Sequence, residues 1–165
     1  MLLLDADTLI QAKNTYYAFD LAPGFWDWLE RGLASGQLGS VEAVGVELKR
    51  GNDELAAWAV QHPSFFVAPG NTVPGSIAQL AAWAHGHDQY TNSARQEFLA
   101  GKGDLYLVAQ AHAEGHTVVT SEQSRPSKKR VMIPDACAAV GVPCMNLFGA
   151  ALAVGGLQLV LAQGS

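Results

Sequence analysis

Four apolar residues, Met1-Leu2-Leu3-Leu4, run without a break into a carboxylate, Asp5. A short continuous apolar run is what a central strand buried on both faces requires. A carboxylate at the end of such a strand is costly to desolvate unless it is paired, binds a metal or caps a helix. The pattern returns late in the chain, where Val118-Val119-Thr120-Ser121 leads into Glu122. Two such strand ends in one parallel sheet can lie side by side, and in parallel sheets sites form beyond the carboxyl ends of the strands.

Between these two points, helical and strand patterns alternate. The spacing predicts helices over Thr8–Tyr17, Gly24–Ala34, Val41–Lys49, Asp53–Gln61, Ile77–Ala84, Asn92–Leu99, Asp104–Ala113 and Pro134–Val140, the first capped near Asp7 or Thr8. Short strands are expected at Leu38–Ser40, Ser64–Ala68, Thr117–Thr120 and Pro143–Leu147. Strands alternating with helices imply an α/β fold: a central parallel sheet with helices on both faces, in three layers. With 165 residues, one domain spanning 1–165 is expected.

Composition narrows the function classes. The formal net charge of −5 argues against a generally basic nucleic-acid binder. Arg125, Lys128, Lys129 and Arg130 nevertheless lie within six residues of one another, so any contact with a polyanion is local. Cys137 and Cys144 are too few for a disulfide framework and read as two reduced, buried thiols of a cytoplasmic protein. Met1–Leu4 has no basic segment ahead of it, so no export signal is expected. Ala136–Ser165 carries no charge, but Pro143, Asn146, Gln158 and Gly155-Gly156 interrupt it. It reads as a buried strand and helix or a self-association surface, and no membrane span is expected.

Two further acids stand where chemistry can use them. Asp104 opens an apolar helix and Glu47 lies within another; alone, these would be a helix cap and a solvated face. Asp5, Glu47, Asp104 and Glu122 are all hard oxygen donors, a set that suits Mg²⁺ or Mn²⁺ and not Zn²⁺. The five histidines include no H-E-x-x-H zinc motif. Gly101-Lys102-Gly103 is too short for a phosphate loop, and no serine nucleophile elbow is present.

In this order the residues resemble PIN-domain nucleases over about residues 1–148. Leu3-Leu4-Asp5-Ala6-Asp7-Thr8 resembles the opening motif, and Ser40 with Glu47-Leu48 the second acidic position. Gly103-Asp104-Leu105 resembles the third position, and Val118-Val119-Thr120-Ser121-Glu122 the fourth. Tyr16-Tyr17-Ala18-Phe19-Asp20, Pro23-Gly24-Phe25-Trp26-Asp27-Trp28-Leu29 and Ile133-Pro134-Asp135-Ala136-Cys137 look like a PIN-like bacterial subgroup known only as a domain of unknown function. Two departures stand out. Asp7 replaces the usual Asn or Ser, and the fourth acid is Glu122 where Asp is common.

The resemblance implies an endoribonuclease that uses Mg²⁺ or Mn²⁺ to hydrolyse RNA phosphodiesters. Asp5, Glu47, Asp104 and Glu122 would be its ligand and catalytic set, with Asp7 and Asp135 as additional metal ligands. Arg125, Lys128, Lys129, Arg130 and Lys13 would meet RNA phosphates. It further implies a homodimer, and a toxin paired with an antitoxin protein. The dimer also follows from the uncharged C-terminal stretch and the Trp26 segment, read as exposed apolar surface.

Two other readings fit parts of the sequence. A haloacid-dehalogenase-type phosphotransferase would use Asp5 as nucleophile and Asp7 as acid/base, but Leu9 and Val108 stand where that pattern wants other residues. A non-catalytic PIN-like module would act through RNA or protein contacts alone.

Overall fold

The computed structural model of the chain describes residues 1–100 and 102–159. Gly101 and the last six residues of the uncharged C-terminal stretch lie outside the described residues. The elements follow in the order β1 (Leu2–Leu4), α1 (Ala6–Asn14), α2 (Pro23–Ala34), β2 (Leu38–Val41), α3 (Glu42–Leu48), α4 (Glu54–Gln61) and β3 (Phe66–Val67). Then come α5 (Val73–Gly86), α6 (Asn92–Leu99), α7 (Gly103–Glu114), β4 (Thr117–Val119), α8 (Ile133–Val140), β5 (Cys144–Met145) and α9 (Leu147–Val154).

The five strands form one parallel sheet in the order β3-β2-β1-β4-β5, and the helices cover it as a three-layer α/β/α fold. β1 is central, pairing Leu2 with Leu38 on one side and with Thr117 on the other. From β1 the chain builds outward through β2 to β3, then crosses back through α5, α6 and α7 to lay β4 on the opposite side of β1. The direction of winding therefore reverses between β1 and β4, the point at which sheets of this type open a crevice.

Several boundaries differ from the sequence reading, each for a local reason. α1 starts at Ala6 because Asp5, in extended backbone, caps it directly and leaves no loop after the strand. β2 runs through Val41, which pairs with Val67. Pro63 imposes a 3₁₀ turn over Pro63–Phe65, so β3 shrinks to two residues. α5 begins at Val73, four residues early, with Pro74 in its first turn, where a missing N–H costs nothing.

The tryptophans lie inside. Phe25, Trp26 and Trp28 of α2 are at most 3% exposed, so this segment is core and offers no self-association surface. Phe25 stacks on Tyr17 and meets Trp26 edge to face. The Trp28 indole N–H donates to the Gly155 carbonyl at 2.9 Å, fastening the segment after α9 to α2. Of the two thiols, Cys137 is buried but Cys144 is exposed, against the expectation that both would be hidden.

Removing a fully buried tryptophan leaves a cavity that the surroundings fill only partly. Trp28→Ala should lower stability by about 3–5 kcal/mol, read as a lower urea midpoint at unchanged slope. An unchanged midpoint would contradict the packing described.

Candidate active site

The carboxyl ends of β1 and β4 are joined by a knot of hydrogen bonds centred on Asp5. The Asp5 backbone N–H donates to the Val119 carbonyl at 3.0 Å, which carries the strand pairing one residue beyond β1. Its Oδ1 accepts from the Thr8 backbone N–H at 2.7 Å, the ordinary geometry of a helix cap. Its Oδ2 accepts from the Thr120 hydroxyl at 2.5 Å. Thr8 answers from α1, its hydroxyl accepting from the Ser121 N–H at 3.1 Å, while the Thr120 hydroxyl accepts from the Glu122 N–H at 3.1 Å. On the other side of β1, the buried Ser40 hydroxyl donates to the Leu4 carbonyl at 2.5 Å. Asp5 is 1% exposed. Burial pushes its carboxyl up to about 6, against the hydrogen bonds from Thr120 and Thr8 that favour the charged form.

Around this knot the other acids gather on a single cation, Arg130. Its Nη2 lies 2.5 Å from Glu122 Oε1, 3.7 Å from Asp104 Oδ2 and 3.8 Å from Asp7 Oδ2. Glu122 is held at both ends, because its Oε2 accepts from the Ile133 N–H at 2.8 Å and so serves the first turn of α8, which has no side-chain cap of its own. Asp104 sits in the first turn of α7. Its carboxyl is raised to about 6, chiefly by burial, then by the charge of Glu122, with Asp5 and Glu47 adding and Arg130 opposing. The Asp104 side chain is 38% exposed, so solvent screens its charge more than that of Asp5.

Glu47 reaches the cluster from α3 by way of a glycine. A Cβ on Gly103, the first residue of α7, would stand 2.9 Å from Glu47 Oε2 and 3.1 Å from a methyl of Val44. The absent side chain thus lets α3 and its carboxylate close on the start of α7. Asp7, Glu47, Asp104 and Arg130 line one small cleft of about 220 Å³.

Other sequence candidates stand elsewhere. Asp135 accepts a hydrogen bond from the Ser124 hydroxyl and lines a separate cleft with Tyr90 and Arg125. Lys13 is paired with Asp53 at 2.6 Å. Arg125, Lys128 and Lys129 are exposed on the loop that follows β4; Arg130, grouped with them in the sequence and also exposed, pairs with the acids. Thr8 and Thr120 were missed by the sequence reading. Their signal was present in the +3 spacing of Thr8 from Asp5 and in a hydroxyl directly after two buried valines.

Among the described residues, no three acidic, cysteine or histidine side chains already stand in metal-binding geometry. The donor set nonetheless suits a hard divalent cation. It consists of oxygens alone, two of its carboxyls are raised in pKa, and one arginine serves at least three acids. Comparison with known proteins adds one finding: the family described as Domain of unknown function (DUF4411) matches residues 2–153. Neither curated proteins nor solved structures provide a match.

Three outcomes follow from the geometry. Asp5→Asn keeps an acceptor for Thr8 and removes a buried charge, so the protein in chelator should melt at or above the wild-type temperature. Asp5→Ala loses the cap, about 1 kcal/mol, and strands the Thr120 hydroxyl, about 1–3 kcal/mol more, so its melting point should drop. If both variants fall equally, the buried charge is not under strain.

The pH dependence has a definite sign. A carboxyl whose folded pKa is raised from 3.8 to about 6 contributes stability that is complete below pH 4 and is lost as pH rises through 6. Wild type minus Asp5→Asn cancels groups that do not interact with Asp5, His116 among them, and reports Asp5 together with the response of Asp104, whose carboxyl its charge helps to raise. The difference should change by up to about 3 kcal/mol between pH 4 and pH 7.5, in favour of wild type at the acid end. A flat difference curve would refute the assignment.

Proposed function

Because the chain belongs to the DUF4411 family, whose description leaves its activity open, we propose a function from the site itself: a Mg²⁺- or Mn²⁺-dependent ribonuclease that hydrolyses RNA phosphodiesters. The observation that carries this reading is the convergence of Asp7, Asp104 and Glu122 on one cationic group at the switch point of the sheet, with Asp5 and Glu47 beside them. Asp7, Glu47, Asp104 and Glu122 would hold the ion, and Asp5 would face it from the strand end. When bound, the ion supplies an activated water and neutralises charge that builds on the phosphorus centre.

The chain's own residues do the rest. Asp5 and Thr120 lock the two strand ends, so the acids start from fixed backbone. Arg130 offsets part of the negative charge of the cluster. Lys102 lines the same cleft, and Lys128 and Lys129 are exposed on the loop that carries Arg130, so these cations would supply phosphate contacts. The wider sequence resemblance extends the proposal to a toxin paired with an antitoxin protein.

The phosphotransferase reading is disfavoured by Asp5 itself. A nucleophile must reach phosphorus, and this carboxylate is 1% exposed with a hydrogen bond on each oxygen. The second reading kept is a non-catalytic module, favoured by Arg130, since a permanently ion-paired cluster needs no metal.

Melting curves in Mn²⁺ separate the two. Binding to the folded state at a hundredfold excess over Kd stabilises by about 2.7 kcal/mol, a rise of several degrees for a chain of this size. Wild type should show this rise and cleave single-stranded RNA. Asp104→Asn and Glu122→Gln should lose both. Arg130→Ala should melt lower in chelator and gain more from Mn²⁺, because the ion no longer competes with a guanidinium. No Mn²⁺ shift in wild type, together with no cleavage, would leave the binding-module reading.

A further inference from the structure

A second and larger cleft opens on the far side of Glu122. It measures about 810 Å³, within the range of small-ligand sites. It is walled by the end of α1, the segment after β4 and the start of α9. It meets the acid cluster through Glu122, which lines the cleft with its backbone neighbours Thr120 and Ser121 while its carboxylate pairs with Arg130. Two aromatic rings on its wall are left in solvent: Tyr16 is 80% exposed and Phe148 is 72% exposed, in a chain that buries Phe25, Trp26, Trp28, Trp58, Phe65 and Phe66.

The polar lining is neutral apart from Glu122. Ser121 Oγ is buried without a hydrogen-bond partner among the described residues. Asn146 uses its Oδ1 to cap α9 through the Gly149 N–H at 2.8 Å, which leaves its amide N–H groups for a ligand, and Gln11 offers a further amide. Among the described residues, no lysine or arginine lines the cleft, so it does not suit a phosphate. Exposed rings for stacking, with hydroxyl and amide groups that both donate and accept, suit a flat neutral heterocycle.

We propose that this cleft is a subsite for one unpaired nucleobase of the strand whose phosphate lies at the acid cluster. The proposal rests on the nuclease reading and names the form of its substrate. A paired base has its edge and faces occupied, so only a single-stranded segment can turn a base out against Tyr16 and Phe148. Each ring contributes stacking whose loss weakens binding roughly 5- to 150-fold.

The test uses a single-stranded RNA octamer carrying 2-aminopurine at each position in turn, with Ca²⁺ as the divalent ion. Wild type should quench the fluorescence at one position. Tyr16→Ala and Phe148→Ala, both surface changes, should weaken binding roughly 5- to 150-fold. An abasic nucleotide at the quenched position should do the same, and the duplex octamer should not bind. Both variants should keep the wild-type melting shift with Mn²⁺, a readout of the acid cluster alone. A missing shift in wild type tells against the metal reading. Equal binding by the variants or the abasic strand, or quenching at no position, overturns the subsite. So does light scattering that shows a dimer split by either variant, since the rings would then belong to an interface between two copies.

Discussion

One buried carboxylate, Asp5, holds the two halves of this molecule in register. The strand order makes β1 and β4 neighbours although more than a hundred residues separate them, and a sheet wound in both directions from its centre opens a crevice there. Asp5 closes that point with three bonds of different kinds: a backbone N–H to Val119, a cap to Thr8 and a side-chain bond to Thr120. Each of these also fixes an element that carries a functional candidate. The cap sets the start of α1 and hence Asp7; the Thr120 hydroxyl holds the Glu122 backbone. Burial makes the arrangement effective, because hydrogen bonds to a desolvated carboxylate are stronger than those in water, and it makes the same group reluctant to ionise.

The electrostatics of the cleft follow from a mismatch of charge. Asp7, Asp104 and Glu122 meet one guanidinium, with Asp5 and Glu47 close behind. Arg130 reaches three of these acids at once, but only Glu122 lies within hydrogen-bond distance; the other two contacts, at 3.7 and 3.8 Å, are those of charges in attraction. A divalent ion would carry twice the charge in a smaller volume, and this excess of acid over base is the physical ground of the proposed metal dependence.

The C-terminal segment forms the strand and helix that its composition suggests, but of the residues in β5 and α9 only Ala150 is buried. Its uncharged residues supply β5 at the sheet edge, then α9 beside the larger cleft, and the Gly155 carbonyl that receives the Trp28 indole N–H. Among the described residues, no helix is long and apolar enough to cross a membrane. Phe148 and Leu152, one turn apart on α9, remain in solvent, whereas the Trp26 segment is buried.

The sequence by itself determined the class of fold and the roster of acids. Apolar runs of strand length, broken by helices with caps, read directly as a parallel α/β sheet, and Asp5 and Glu122 announced themselves as charges attached to strands that must be buried. These are local signals, carried by neighbours in the chain. What the sequence could not reveal was which acids share a cation. Arg130 looked like one of four basic loop residues, and Asp135 looked like a further ligand beside Glu122. Tertiary structure decided both: the loop after β4 folds back so that Arg130 faces α1 and α7, while Asp135 turns away to Ser124. Glu47 was equally undecided, since its approach depends on the missing side chain of Gly103, 56 residues away along the chain. Coulomb energy and steric exclusion depend on distance in space, and residues far apart in sequence acquire that distance only when the sheet has closed.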